Sequence, residues 1–382
     1  MKLKIVQLTT DNRWPYKQYD KEIPWFGTAP EALLSGFTEY PDEIEVHVVS
    51  TIRRPVKSPE KLADNIWFHS VPVPKIGWMS TGYLLCVRAT RRKLREIQPD
   101  LVHGQGSELD AAISAALSGY PNVITLLGIM TEMVRVLNAK PGNYYWLASK
   151  LENFALRRTA GVLANSRFTE AAVKGRCRKT WLVANAVRNP FLQKPLTPEK
   201  PSKCILINAG TVCSYKRQID LVDIAEQLHA EGLQFELHFL GSASRGSAYG
   251  AKFLDRIQNR PFLFHHGHRN VEEFISQLDS SAAIVHVSAI ESFGLVVAEA
   301  LARNRKFIGF KTAGVADIVE GVDGAECLAD GDWPGLKNAI ARWIRLGYPL
   351  PSSAAKSIQT RFSPAVIARE HIKVYREVLG GK

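Results

Sequence analysis

A chain of 382 residues exceeds what one hydrophobic core ordinarily supports, so two domains of fewer than 200 residues each are expected. With 46% hydrophobic and 23% charged residues the composition is that of a globular protein, which excludes a disordered or low-complexity chain. The net charge of +12 is uneven: residues 1–200 hold 28 Lys and Arg against 18 Asp and Glu, whereas residues 201–382 hold 21 against 19.

Met1-Lys-Leu-Lys-Ile-Val-Gln-Leu is a short basic lead into a first strand, without the apolar stretch of a secretion signal. No apolar run approaches the roughly 18–20 residues that cross a bilayer. The five cysteines are scattered, odd in number and free of any Cys-x-x-Cys pair, which fits a reducing cytoplasm and neither a disulfide framework nor a zinc ribbon. Further strands are predicted at Ile44-Glu-Val-His-Val-Val, Asp100-Leu-Val-His, Val123-Ile-Thr-Leu-Leu, Gly161-Val-Leu-Ala and Trp181-Leu-Val-Ala. Helix-period segments lie between most of them, at Leu109 to Leu117, Trp146 to Arg157 and Phe168 to Lys174. A further helix opens apolar at Tyr83-Leu84-Leu85 and continues into Arg88-Ala-Thr-Arg91-Arg92-Lys93-Leu-Arg95. Such a basic amphipathic helix suits an anionic membrane surface or ligand, and equally a solvated face. No nucleic-acid-binding motif accompanies it, so nucleic acid is not expected as a partner.

After residue 189, four prolines between Pro190 and Pro201 break all periodicity and read as a linker over 189–201. The alternation then restarts. Strands are predicted at Cys204-Ile-Leu-Ile-Asn, Phe235-Glu-Leu-His-Phe-Leu, Phe262-Leu-Phe-His, Ala282-Ala-Ile-Val-His-Val and Phe307-Ile-Gly-Phe, with helices at Leu221 to Glu231, Val271 to Leu278 and Val296 to Arg303. Strands alternating with helices imply βαβ units and parallel sheets covered on both faces. The fold class is therefore α/β, two doubly wound domains in tandem, and in such sheets ligands bind beyond the carboxyl ends of the strands.

The segment richest in chemistry is Val287-Ser-Ala-Ile-Glu291-Ser-Phe-Gly294-Leu-Val-Val-Ala-Glu299. A strand ends near Val287, a loop carries Glu291, and a helix starts near Phe293 and Gly294. Its first backbone N–H groups lack intrahelical partners and, with the dipole, favour a phosphate or sugar oxygen. Glycine at 294 permits close approach of a ligand to the backbone, and a carboxylate at Glu299 suits a vicinal diol such as a ribose.

Two glutamates spaced this way, with Phe-Gly after the first, resemble the donor motif of glycosyltransferase family 4, retaining enzymes of the GT-B fold. The likeness extends through Gly210-Thr-Val-Cys-Ser-Tyr-Lys216-Arg217, Phe264-His-His-Gly267-His268 and Lys311-Thr-Ala-Gly314-Val-Ala-Asp317. In the first half, Pro99-Asp-Leu-Val-His103, Val123-Ile-Thr-Leu-Leu127-Gly128, Ala164-Asn165-Ser166 and Ala184-Asn185-Ala-Val187 fall in the same order. The resemblance implies two Rossmann-like domains facing across a cleft: residues 1–188 for the acceptor, 202–362 for a nucleotide-sugar donor, and a last helix within 363–382 crossing back to the first domain. It implies that Glu299 binds the ribose and Glu291 the hydroxyls of the transferred sugar. Phe293, Gly294 and Leu295 offer backbone amides; Lys216, with Arg217 beside it, neutralises the diphosphate; Gly267 and His268 follow the strand next to the base. Gly27 belongs to a first-domain loop over the diphosphate, and His103, Gly128 and Asn165 stand on the acceptor side, with a satisfied core histidine and a loop-capping asparagine as the alternative readings at 103 and 165. The sequence departs from the family pattern at Thr211 (for arginine), Leu127 (for histidine), Asp317 (for glutamate) and Ala186 (for glycine).

The expected activity is metal-independent, retaining transfer of a hexose-type sugar from a UDP- or GDP-sugar to an acceptor such as a lipid-linked or envelope glycan. It is placed in the cytoplasm, with peripheral association at an anionic membrane, and no cofactor is expected. A regulatory sugar-nucleotide-binding protein is the alternative, motivated by Leu127 and Thr211; a nucleotide-sugar epimerase is a third. Adjacent histidines at 265 and 266 point to opposite faces of a strand, so no metal is expected there. Asp332, ahead of Trp333-Pro334, reads as a helix N-cap with proline in the first turn. Gly104-Gln-Gly106 lacks the third glycine of a dinucleotide fingerprint.

Overall fold

The computed structural model describes residues 2–74, 76–193 and 200–380; positions 194–199 of the expected linker lie outside the described residues. The chain forms two compact units, one of residues 1–188 with 362–382 and one of residues 189–361.

The first domain is built on an eight-stranded sheet of β1 (Leu3–Leu8), β2 (Ile44–Ile52), β3 (Lys61–Ala63), β4 (Ile66–Pro72), β5 (Leu101–Gln105), β6 (Asn122–Thr125), β7 (Gly161–Ala164) and β8 (Thr180–Leu182). The order across the sheet is β3-β4-β2-β1-β5-β6-β7-β8, parallel throughout except for the β3–β4 edge hairpin. The central strands are apolar on both sides because helices cover both faces: Leu3, Ile5, Val6 and Leu8 of β1 are all buried. The β3–β4 pair lacks a clear signal in the sequence; β4 mixes His69 and Ser70 into its run and ends at Pro72.

The basic segment forms the helix Leu84–Ile97. It buries Cys86, Val87, Thr90, Leu94 and Ile97 on one face and leaves Arg88, Arg91, Arg92 and Arg95 exposed, while Lys93 pairs with Glu96. The C-terminal helix Pro364–Val378 belongs to the first domain and packs on the helix Thr28–Phe37. Tyr375 and Phe37 meet with ring centroids 6.2 Å apart, Tyr40 donates to the Ala365 carbonyl at 3.0 Å, and Arg369 and Arg376 both reach Glu43.

The second domain has six parallel strands: β9 (Ile205–Ala209), β10 (Glu236–Leu240), β11 (Leu263–His265), β12 (Ala283–His286), β13 (Lys306–Phe310) and β14 (Ala325–Leu328). Their order is β11-β10-β9-β12-β13-β14. The order reverses between β9 and β12, and it is beyond the carboxyl ends at such a point that doubly wound sheets bind ligands. The half-exposed edge strand β14 and the helix Ala354–Phe362 gave no clear sequence pattern. Asp332 caps the helix Trp333–Arg345, its carboxylate accepting from Gly335 N at 2.9 Å, with proline in the first turn.

The expected linker is shortened at its start. Asn189–Leu192 is a short helix of the second domain, because Phe191 is fully buried there against Phe274 at 5.7 Å. Proline punctuation located the break in periodicity, but contacts with the second domain outweighed it at this end.

Candidate functional site

Three loops converge at the carboxyl edge of the second sheet, at its switch point. The first follows β9: the short 3-10 turn Ser214–Lys216 ends at Arg217 in the left-handed region, φ +56°, and the helix Gln218–Ala230 begins. The second follows β12 and carries Glu291. The third follows β13 and reaches Gly314, whose N–H donates to the Glu291 carbonyl at 2.8 Å.

Glycine is required twice. Gly294 caps the helix Leu295–Ala302 with φ +103°, a conformation costly for any side chain. Gly314 lies against the Ser292–Phe293 backbone so closely that a Cβ would stand 2.1 Å from the Ser292 carbonyl oxygen. Together they fold the Glu291 loop tightly onto the loop after β13 and aim the helix start outward. Phe293 anchors the turn, 2% exposed.

Lys216 and Glu291 form an ion pair across this edge, with side chains 16% and 20% exposed. Burial alone would raise the Glu291 carboxyl; the Lys216 ammonium overrides burial and holds it below the ordinary carboxylate value. Beneath the pair lies His286, the last residue of β12, 1% exposed. Its Nε2 stands 3.8 Å from Glu291 Oε2 and has no hydrogen-bond partner. Burial first, and then the Lys216 ammonium, push the imidazole down to about 4, so it is neutral at pH 7. Sequence reading passed over His286; the available signal was a histidine closing an otherwise apolar strand directly before the loop.

The other expected donor residues occupy the same edge or its flanks. Arg217 is held by Asp330, beyond β14, at 2.5 Å. Gly267, φ +69°, accepts from Gly241 N at 2.8 Å, and His268 beside it is exposed. Leu295 opens the helix, and Glu299 lies in its second turn, 1% exposed.

In the first domain Gly27 caps the helix Thr28–Phe37 without unusual backbone, φ −71°. Its turn is braced by Glu31, which accepts from Phe26 N at 2.8 Å. His103, expected on the acceptor side, is instead a core histidine. It is 0% exposed, with Nδ1 2.7 Å from Tyr375 Oη and Nε2 2.7 Å from Thr125 Oγ1, so both ring nitrogens are consumed inside the domain. Asn165 is likewise buried, donating to the Leu126 carbonyl at 3.1 Å and accepting from Thr169 at 2.7 Å. It braces the ends of β6 and β7. Gly128 remains at the carboxyl end of β6, where its N–H faces the Glu108 carboxylate. Burial, with Glu152 adding to it, pushes Glu108 up to about 7, and sequence reading did not single this residue out.

Comparison with known proteins locates this arrangement. Residues 38–188 match the family model described as Glycosyltransferase Family 4, and residues 203–345 match that described as Glycosyl transferases group 1. Similar solved structures include sucrose-phosphate synthase from Thermosynechococcus elongatus, 15% identical, covering 100% of both chains with a TM-score of 0.74. HepE of Anabaena in complex with UDP-glucose is 18% identical over 98% of this chain and 100% of that one, with a TM-score of 0.71. The lipopolysaccharide outer core galactosyltransferase WaaB is 14% identical over 99% and 100%, with a TM-score of 0.66. A sequence search of curated proteins returns no match. At these identities the structures establish the fold, GT-B, with its two Rossmann-like sheets.

Proposed function

We propose that this chain, which belongs to glycosyltransferase family 4, transfers a hexose-type sugar from a nucleoside-diphosphate sugar to an acceptor with retention. The observation that carries the reading is the convergence of Lys216, Glu291 and the helix start at Gly294 on the switch point of the second sheet. A leaving diphosphate gathers negative charge as the glycosidic bond breaks, and preorganised cations and N–H donors stabilise that charge. Lys216 supplies the cation, and the backbone amides at Phe293, Gly294 and Leu295 supply the donors. Arg217 stands at the rim, and no metal is required. Glu291, kept ionised beside Lys216, accepts hydrogen bonds from hydroxyls of the transferred sugar. Glu299 accepts from the ribose, and Gly267 and His268 border the base. Gly27 and Gly128 are the first-domain positions retained for the substrates. His103 and Asn165 hold the acceptor domain together.

HepE was crystallised with UDP-glucose, which favours a UDP-sugar over a GDP-sugar for this chain. WaaB acts on lipopolysaccharide outer core, and the exposed arginines of helix Leu84–Ile97 suit an anionic surface, so an envelope or lipid-linked glycan is the acceptor class. The association proposed is peripheral, on the cytoplasmic face; among the described residues no helix is long and apolar enough to cross a membrane.

The test is a thermal-shift panel of UDP, GDP, ADP and their sugars on the wild type and Glu299→Ala. A ligand at a hundred times its Kd adds about 2.7 kcal/mol. Stabilisation by one nucleotide, lost in Glu299→Ala, supports the donor site and names the base. Stabilisation by none refutes it. Acceptor-dependent release of nucleoside diphosphate then separates transfer from sugar-nucleotide binding alone, the reading motivated by Leu127 and Thr211.

A further inference from the structure

On the reading of Glu291 as the residue that holds the transferred sugar, we infer that His286 is its reserve partner. When a diphosphate draws Lys216 away, the Nε2–H of His286 takes over the Glu291 carboxylate and keeps it aimed at the sugar. His286 is thus a positioning residue; it touches neither sugar nor phosphate.

Lys216 faces competing demands. Its ammonium is paired with Glu291, yet a diphosphate at the helix start needs the same cation. If it left with nothing in its place, Glu291 would remain a four-fifths-buried carboxylate with its main partner gone, and such a group loses affinity for its charged form. Among the described residues, His286 brings a ring nitrogen close to the same carboxylate. The Nε2 atom of His286 is buried, 3.8 Å from Glu291 Oε2 and without a hydrogen-bond partner, although buried polar atoms of folded proteins are nearly always bonded. A shift of about 1 Å brings it to hydrogen-bond distance. The neighbours leave few other assignments. The charged groups facing the ring are Lys216, from the loop after β9, and Glu291, from its own loop. The Cys213 thiol lies near the same pair. On the flanking strands Asn208 of β9 is committed to the Val285 carbonyl at 2.9 Å, and Gly309 of β13 lies against the His286 backbone; neither titrates. The imidazole is neutral, so the exchange moves a hydrogen bond and adds no second buried charge to the site.

The experiment needs no nucleotide. Imidazole resonances of His286 are followed against pH in the wild type, in Lys216→Met, which imitates the departed lysine, in Glu291→Gln, and in Lys216→Met/Glu291→Gln. Lys216→Gln serves as a second imitation should the methionine variant fail to fold. The expected result is a rise in the His286 pKa of at least about one unit, tenfold in proton affinity, from wild type to Lys216→Met, and a much smaller rise from Glu291→Gln to the double variant. That pattern assigns the gain to the Glu291 hydrogen bond. No rise, or an equal rise in the two pairs, overturns the inference, since loss of repulsion by lysine alone would raise both pairs alike. Titration of the wild type with UDP and with GDP is scored separately: if neither shifts a second-domain resonance, the donor reading fails while the lysine-variant comparison still decides on His286.

Discussion

Acid should unfold the second domain through His286. The ring is 1% exposed and its folded pKa is about 4, against about 6.5 in an unfolded chain. Between those values the unfolded state binds the proton and the folded state does not, so stability rises with pH and is lost as pH falls from 6.5 towards 4. The loss from this one group is about 1 kcal/mol at pH 5.5 and about 2–3 kcal/mol at pH 4.5. The opposing sign exists in the first domain, where Glu108 and Asp110 have raised values, to about 7 and about 6, and gain protons on folding over much of the same range. Urea unfolding at pH 7.5, 5.5 and 4.5 is the assay, comparing the wild type with His286→Gln, which removes the titrating ring and keeps an amide. The second-domain transition of the wild type should fall relative to the variant by those amounts. Parallel losses in the two proteins would refute the reasoning, since they would mean that His286 accepts its proton as readily when folded as when unfolded.

Other consequences are testable in single experiments. Gly294→Ala forces a side chain into φ +103° with its Cβ 2.9 Å from Val315 Cγ2; it should cost the second domain about 1–3 kcal/mol in urea unfolding and abolish stabilisation by nucleotide. Arg13 is fully buried, bonded to Asp11 and to the carbonyls of Lys21, Glu22 and Lys57, so Arg13→Met strands the Asp11 carboxylate and should destabilise the first domain by about 3–5 kcal/mol. Adding Asp11→Asn should recover part of that loss in the same thermal melt; no recovery would mean that the carboxylate is not the source. Replacing Arg88, Arg91, Arg92 and Arg95 by glutamine should release the protein from anionic vesicles in flotation at low salt, and retention equal to wild type would remove this helix from the membrane reading.

The features that the sequence by itself carried are those whose cause is local. Alternation of apolar runs with 3.6-residue periods revealed two parallel-sheet domains, because a strand covered by helices on both faces must be apolar throughout. The Glu291–Glu299 segment was legible for the same reason: a strand end, a loop, a glycine and a helix start lie within a few residues of one another. The Asp332 cap needs only its own first turn. What tertiary structure decided are pairings between distant segments. Lys216 meets Glu291 because β9 and β12 are neighbours in the sheet, a consequence of strand order that no local pattern encodes. His103 looked like a site residue at a strand end. It became a core residue when Tyr375, from the last helix, returned to the first domain and took its Nδ1. His286 changed in the opposite sense, from one letter in an apolar run to a buried ring beneath two charges. Phe191 drew the start of the linker into the second domain by its burial, and Arg303 donates to the Gln193 carbonyl at 2.8 Å. In each case burial and partner supply, set by which strands lie side by side, fixed the role of a side chain whose type was already known.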